Sequence, residues 1–197
     1  MDPLLGANSW EYAFTALPYF RSPGSQAVIW SILKIKVDSN DKKFITSEVY
    51  IHYTVIDTLY KTQFNKRGLV VWESFLPYTS SEFNFQPNNA RGEKVYWIEK
   101  SFEVLPGRVY VVSVSLRINN EEVYTKEVSM NFPPLKGDAH FSGILFFYQP
   151  PTLPPLSLES CLVDFSIPLT SSRIYGVFQL RRLKKKAYTL TKVVFRK

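Results

Sequence analysis

The stretch "SFEVLPGRVYVVSVSLRINNEEVYTKEVSMNF", Ser101 to Phe132, decides the fold reading of this chain. Leu105-Pro106-Gly107 reads as a tight turn ending one strand, because proline presets φ and glycine accepts the backbone that a sharp reversal needs. From Val109 to Ile118 the chain alternates, with Tyr110, Val112, Val114, Leu116 and Ile118 on one face, the period of a half-buried strand. Asn119-Asn120 then supplies a two-residue hairpin turn into a second run, Val123 to Met130. Strand, turn, strand, hairpin, strand is the order that closes an immunoglobulin- or fibronectin-like sandwich.

The same period appears upstream. In Ala27 to Val37 the odd positions Ala27, Ile29, Leu33, Ile35 and Val37 are apolar with Ser31 between them, while Lys34 and Lys36 mark the other face. In Ile45 to Val55 the residues Ile45, Val49, Ile51, Tyr53 and Val55 share a face, opposite Thr46, Glu48, His52 and Thr54. Leu69 to Leu76 and Val95 to Val104 read as two further strands, the latter with Tyr96, Ile98, Phe102 and Val104 inward. Between them Pro77 to Glu93 forms a polar loop, long for a hairpin connection. No segment sustains a 3.6-residue period, so the chain is expected to be all-β.

Downstream of Phe132 a short apolar strand, Ile144 to Tyr148, precedes "QPPTLPP", four prolines within seven residues. Proline lacks a backbone donor and cannot sit inside a ladder, so this segment reads as a stiff connector. The expected organisation is a β-sandwich over 1–148, a linker over 149–155 and a small or incomplete β unit over 156–197. That unit holds strand candidates Leu158 to Ile167, Arg173 to Arg182 and Tyr188 to Arg196. Three strands alone are marginal in water, so they are expected to pack on the first sandwich or on a partner.

The formal charge of +7 is concentrated at one end: residues 165–197 carry nine Lys and Arg and no acid, whereas 1–164 carry a slight acidic excess. A uniformly nucleic-acid-binding surface is therefore not indicated; a local basic face is. The single cysteine, Cys161, flanked by Leu162 and Val163, reads as a buried thiol and forbids an internal disulfide. Met1 to Trp10 has no basic segment followed by an apolar run, so no secretory signal is read there. No apolar run approaches the ~20 residues of a membrane-spanning helix.

Catalysis finds little support. His52 stands on the polar face of its strand, and His140 in "GDAHFSG" has acid and hydroxyl neighbours only in sequence, with strand neighbours pointing to opposite faces. His140 is expected to be a loop residue and His52 a solvated one. Nucleotide, dinucleotide, zincin, calcium-loop and hydrolase-elbow motifs are absent, and two His with one Cys make no ordinary zinc site. Neither catalytic residues, cofactor nor metal is expected.

The basic end, "FQLRRLKKKAYTLTKVVFRK", places Arg181, Arg182, Lys184, Lys185 and Lys186 at a hairpin tip. Such a tip is solvated and protects a sheet edge; it also suits an acidic protein partner or anionic surface, and less well a nucleic acid. Tyr78 and Phe83, in the long loop region, are the other candidate contact residues. With Trp72 they offer an alternative aromatic platform for a carbohydrate or peptide.

"SFEVLPGRVYVVSVSLRI", "FSGILFF" and "SRIYGVFQLRRLKKKAYTLTKVVFRK" resemble the β-sandwich region of GWxTD domain proteins, over Ser101 to Lys197. The namesake Gly-Trp-x-Thr-Asp motif is absent, and Trp10, Trp30, Trp72 and Trp97 stand in other contexts. The resemblance implies an exported or envelope-associated protein and transfers no catalytic residue. The expected function is a non-enzymatic structural or adaptor subunit of a larger assembly, binding protein partners through its terminal strand and basic hairpin. The alternative is a jelly-roll capsid-type protein.

Overall fold

A computed structural model describes residues 10–21, 26–38, 48–62, 66–78, 85–86, 93–135, 139–151, 158, 160–163 and 173–182. Among these the chain forms β1 (Glu11–Arg21), β2 (Gln26–Asp38), β3 (Val49–Asp57), β4 (Leu69–Tyr78), β5 (Phe85–Gln86) and β6 (Glu93–Glu103). It continues with β7 (Arg108–Ile118), β8 (Glu121–Phe132), β9 (Ala139–Phe141), β10 (Leu145–Phe147), β11 (Tyr175–Val177) and β12 (Leu180–Arg182). One 3-10 turn, Thr58–Tyr60, is the sole helical element among the described residues.

Two four-stranded antiparallel sheets carry the fold. The first runs β1-β2-β6-β5 and the second β4-β3-β7-β8. If the eight strands are lettered A, B, C, C′, D, E, F, G in chain order, the sheets are ABED and C′CFG, the immunoglobulin-like arrangement. The β7–β8 hairpin turns on Asn119 and Asn120, both at positive φ (50° and 68°), the left-handed pair that a two-residue turn between twisted strands needs. Asn119 also ties the turn to the neighbouring strand: its Oδ1 accepts from the Glu48 amide at 3.1 Å and its own amide donates to the Glu48 carbonyl at 2.9 Å.

The core lies between the sheets. Ile29, Leu33 and Ile35 from β2 and Phe102 from β6 meet Ile51, Tyr53, Val112, Val114 and Leu116 from β3 and β7, all fully buried. Burying each such side chain contributes about 1.5–3 kcal/mol. Ser31, the polar member of the β2 row, is also fully buried and is satisfied by donating to the Lys100 carbonyl at 3.0 Å.

A second apolar cluster covers the outer face of the first sheet. Ala13 and Leu17 of β1, Ile32 of β2 and Trp97 of β6 pack with Leu145 and Phe147 of β10 and with Leu158, Cys161 and Val163. The described residues from Ala139 onward thus form a strap, which lays a third layer on one side of the sandwich. β10 pairs with β11, Phe147 bridges to Cys161, and β9 pairs with β12.

The strap also closes the β1 edge. Gly143 N–H donates to the Pro18 carbonyl at 2.7 Å, and Phe20 N–H donates to the Gln179 side chain at 3.2 Å. Positions 18 and 20 point their backbone groups away from β2, so Pro18 sits where the ladder needs no donor. Gly143 approaches so closely that a Cβ there would lie 2.5 Å from Leu17 Cβ.

Several elements differ from the sequence reading, among them β5 and β9, which fall in stretches read as loop. β1 has no counterpart in that reading, because a strand buried on both faces carries Ala13, Phe14, Ala16 and Leu17 without alternation. Leu158 to Ile167 is not a strand where it is described: Cys161, Leu162 and Val163 are consecutively buried, and the Cys161 amide closes a turn onto the Leu158 carbonyl at 2.9 Å. Arg173 to Arg182 divides into β11 and β12, because Gln179 leaves the ladder. Its amide donates to Ser142 Oγ at 2.7 Å, its carbonyl accepts from the Ser142 amide, and its side chain caps β1. The candidate strand Tyr188 to Arg196 lies outside the described residues.

Candidate functional site

The sequence-expected contact residues fall in different places. Arg181 and Arg182 lie on β12, opposite His140 and Ala139 of β9 in the ribbon beside β1. Tyr78 ends β4, opposite Val49, on the outermost strand of the second sheet. The structure does not join the two groups: β1 lies against β8, and β4 is at the other end of the β8 sheet. Lys184, Lys185, Lys186 and Phe83 lie outside the described residues.

A more organised constellation sits where β3 leaves the second sheet. Asp57 caps the 3-10 turn by accepting from the Leu59 amide at 2.9 Å through Oδ1, while its Oδ2 accepts from Arg108 at 2.5 Å. The Asp57 side chain is 1% exposed, so its charge is spent on this pairing. Arg108 also donates to the Tyr60 hydroxyl at 3.2 Å and stacks over its ring, 5.3 Å from the centroid. Those hydrogen bonds, Asp57 first and Tyr60 second, hold the guanidinium above its ordinary range. Thr58 Oγ1 completes the knot by donating to the Val109 carbonyl at 2.9 Å.

Gly68 brings the chain back to this knot. Its φ is 116°, and a Cβ there would lie 2.3 Å from the Asp57 carbonyl oxygen, so only glycine fits. Next to it stands the corner between β6 and β7. Tyr110 donates to the Leu105 carbonyl at 2.9 Å and accepts from the Leu105 amide at 3.0 Å. A tyrosine early in strand F bonded to the backbone upstream is the tyrosine corner of immunoglobulin-like domains. Burial pushes its phenol up from the ordinary value, partly opposed by the Leu105 bond.

Over this rigid frame the surface is apolar. Leu59 is 66% exposed and Val70 50%, and Tyr60, Leu69, Val71 and Val109 are exposed beside them. Val70 and Val71 are both exposed because β4 bulges: Val55 pairs with Trp72 but Ile56 with Val70, leaving Val71 as the extra residue, while Leu69 opposite Asp57 is exposed on the edge strand. Lys61, Lys66 and Arg67 border the patch, and no acid occurs from Thr58 to Trp72. Arg67 reaches Glu127 at 3.7 Å across the outer face of the second sheet. Sequence reading missed this surface; the signal available was the acid-free "TLYKTQFNKRGLVV", Thr58 to Val71.

The remaining candidates take structural positions. His52 Nε2 lies 2.8 Å from Glu73 Oε1 on the outer face of the second sheet. His140 is a buried strand residue rather than a loop residue, because β12 recruits its segment into a ladder. Trp72 packs edge-on against Phe102 at 4.5 Å with Lys100 over its ring at 5.4 Å, a role in the core margin rather than a free platform. Cys161 is a buried thiol outside any disulfide. Among the described residues no helix is long and apolar enough to cross a membrane.

In comparisons with protein-family models, curated proteins and solved structures, nothing matches the chain.

Proposed function

We propose that this chain is a non-enzymatic structural or adaptor subunit of a larger protein assembly at a bacterial cell envelope. The observation that carries the reading is the unequal use of its two outer faces. One face is sealed by the chain's own strap. The other face, with its β4 edge and the apolar end beside Asp57, is presented outward by a frame of buried, mutually bonded groups. That division suits a scaffold that displays a surface, and the basic stretch that begins with Arg181 and Arg182 of β12 supplies a cationic contact. The strand order is immunoglobulin-like, which favours this reading over a jelly-roll capsid subunit.

The test is affinity purification from the native cell, tagged at Met1, repeated with Lys184, Lys185 and Lys186 changed to Glu. Defined protein partners that are lost on charge reversal support an adaptor using its basic C-terminal stretch. Recovery of nucleic acid alone, or of no protein, refutes it.

A further inference from the structure

We propose that the end of the sandwich built by the Thr58–Tyr60 turn, the start of β4 and the start of β7 docks onto an anionic lipid bilayer. The inference rests on the envelope reading above and gives that reading a mode of attachment. Six large apolar side chains from three separate segments, Leu59, Tyr60, Leu69, Val70, Val71 and Val109, are exposed together at this end. Isolated exposed apolar residues are ordinary, but a contiguous group is a feature of a binding surface.

Charge selects the occupant. The one acid in the knot, Asp57, is buried and neutralised by Arg108; Lys61 and Lys66 border the patch together with Arg67, whose guanidinium reaches Glu127 at 3.7 Å, and no acid occurs from Thr58 to Trp72. An apolar surface rimmed by cations matches the acyl boundary and phosphate layer of a membrane containing anionic lipid. Addition of a partner strand to the β4 edge fits less well. The bulge at Val71 and the proline at position 77 both interrupt the regular ladder that an added strand requires.

The backing is stiff. Gly68 lies against the Asp57 carbonyl, Arg108 pins Asp57 and Tyr60, and Thr58 is bonded to β7. The apolar side chains are therefore held outward without an ordering cost at binding.

The experiment is co-sedimentation of the full chain with phosphatidylcholine vesicles, with and without about 30% phosphatidylserine. The chain is expected to sediment with the anionic vesicles and only weakly with the neutral ones. Leu59→Ser with Leu69→Ser, and separately Lys61→Glu with Lys66→Glu, are each expected to weaken binding about tenfold. These positions are exposed, so the variants should keep the parent thermal midpoint. Changing Lys184, Lys185 and Lys186 to Glu is expected to alter binding less than about threefold, which separates this end from the basic C-terminal stretch.

Failure to bind anionic vesicles, equal binding to neutral ones, or loss of binding only in the C-terminal charge variant would overturn the inference. So would tip variants that bind vesicles like the parent but lose a protein partner, which assigns the surface to that protein. A chain that captures protein partners and ignores vesicles refutes this inference and leaves the adaptor reading standing. One that binds vesicles and captures no protein does the reverse.

Discussion

On its outer face the first sheet meets Leu145, Phe147, Leu158, Cys161 and Val163, and Ala13, Leu17, Ile32 and Trp97 are buried beneath them. The outer face of the second sheet carries His52 bonded to Glu73, Ser113 donating to Glu127 at 3.0 Å, and Arg67 reaching across to the same Glu127. Both inner faces are alike, since each sheet sends mainly Ile, Val, Leu and aromatic side chains into one core, with Ser31 the buried polar member. The difference teaches how coverage writes itself into sequence. A strand with one wet face keeps the alternation seen in β7, buried at Val112, Val114 and Leu116 with intermediate exposure between, whereas β1, buried on both sides at Ala13, Phe14, Ala16 and Leu17, loses it.

That comparison can be broken most forcefully at Phe147, which is fully buried in the strap although it lies outside the inter-sheet core. Phe147→Ala is expected to cost about 3–5 kcal/mol in urea unfolding, the loss typical of a large core aromatic. A cost below about 1 kcal/mol would mean that the strap rests on the sheet without sharing its stability. Gly143→Ala tests the same contact with one added methyl group. Because its Cβ would lie 2.5 Å from Leu17 Cβ, the strap must lift from β1, at an expected cost of about 1–3 kcal/mol.

The inner faces should respond to alkali in parallel. Tyr96 in the first sheet and Tyr110 in the second both titrate above the ordinary 10.0, burial being the main cause. The unfolded chain therefore ionises first, so this contribution to stability is complete below pH 10.0 and is lost as pH rises through the folded values. Denaturant midpoints that stay level across that range would show that these phenols are not shielded. The smallest effect is expected on the bare face: His52→Ala should change stability by less than about 0.5 kcal/mol, as for a solvent-exposed pair. A larger loss would give the second sheet's outer face a structural role that its exposure denies.

Much of the inter-sheet architecture was legible because its signals are local. Asn119-Asn120 demands positive φ, Leu105-Pro106-Gly107 demands a turn, and the rows in β2, β3, β6 and β7 alternate with period two. β1 was not legible, since burial on both sides and Pro18 at an edge erase the pattern. Nor was the strap. Cys161, Leu162 and Val163 look like strand in composition, yet their burial comes from docking alongside β10 on the first sheet, a long-range contact with no period. The apolar end escaped for a related reason: the Val71 bulge exposes two successive residues, Val70 and Val71, that a regular ladder would alternate. The expected contact residues were chosen by charge and loop length, and of these only Tyr78, Arg181 and Arg182 lie on described strands.

The central claim is that the strap is a full third layer of the fold, and the lone cysteine reports on it directly. Cys161 is buried beside β10 in the strap and is the single thiol in the chain, so thiol-labelling rates across urea concentrations measure the free energy of exposing that layer. The account predicts that this free energy equals the global value from tryptophan fluorescence, because sheet and strap open together. Labelling more than about 100-fold faster than global unfolding allows, with tryptophan fluorescence unchanged, would contradict it by showing a strap that opens alone.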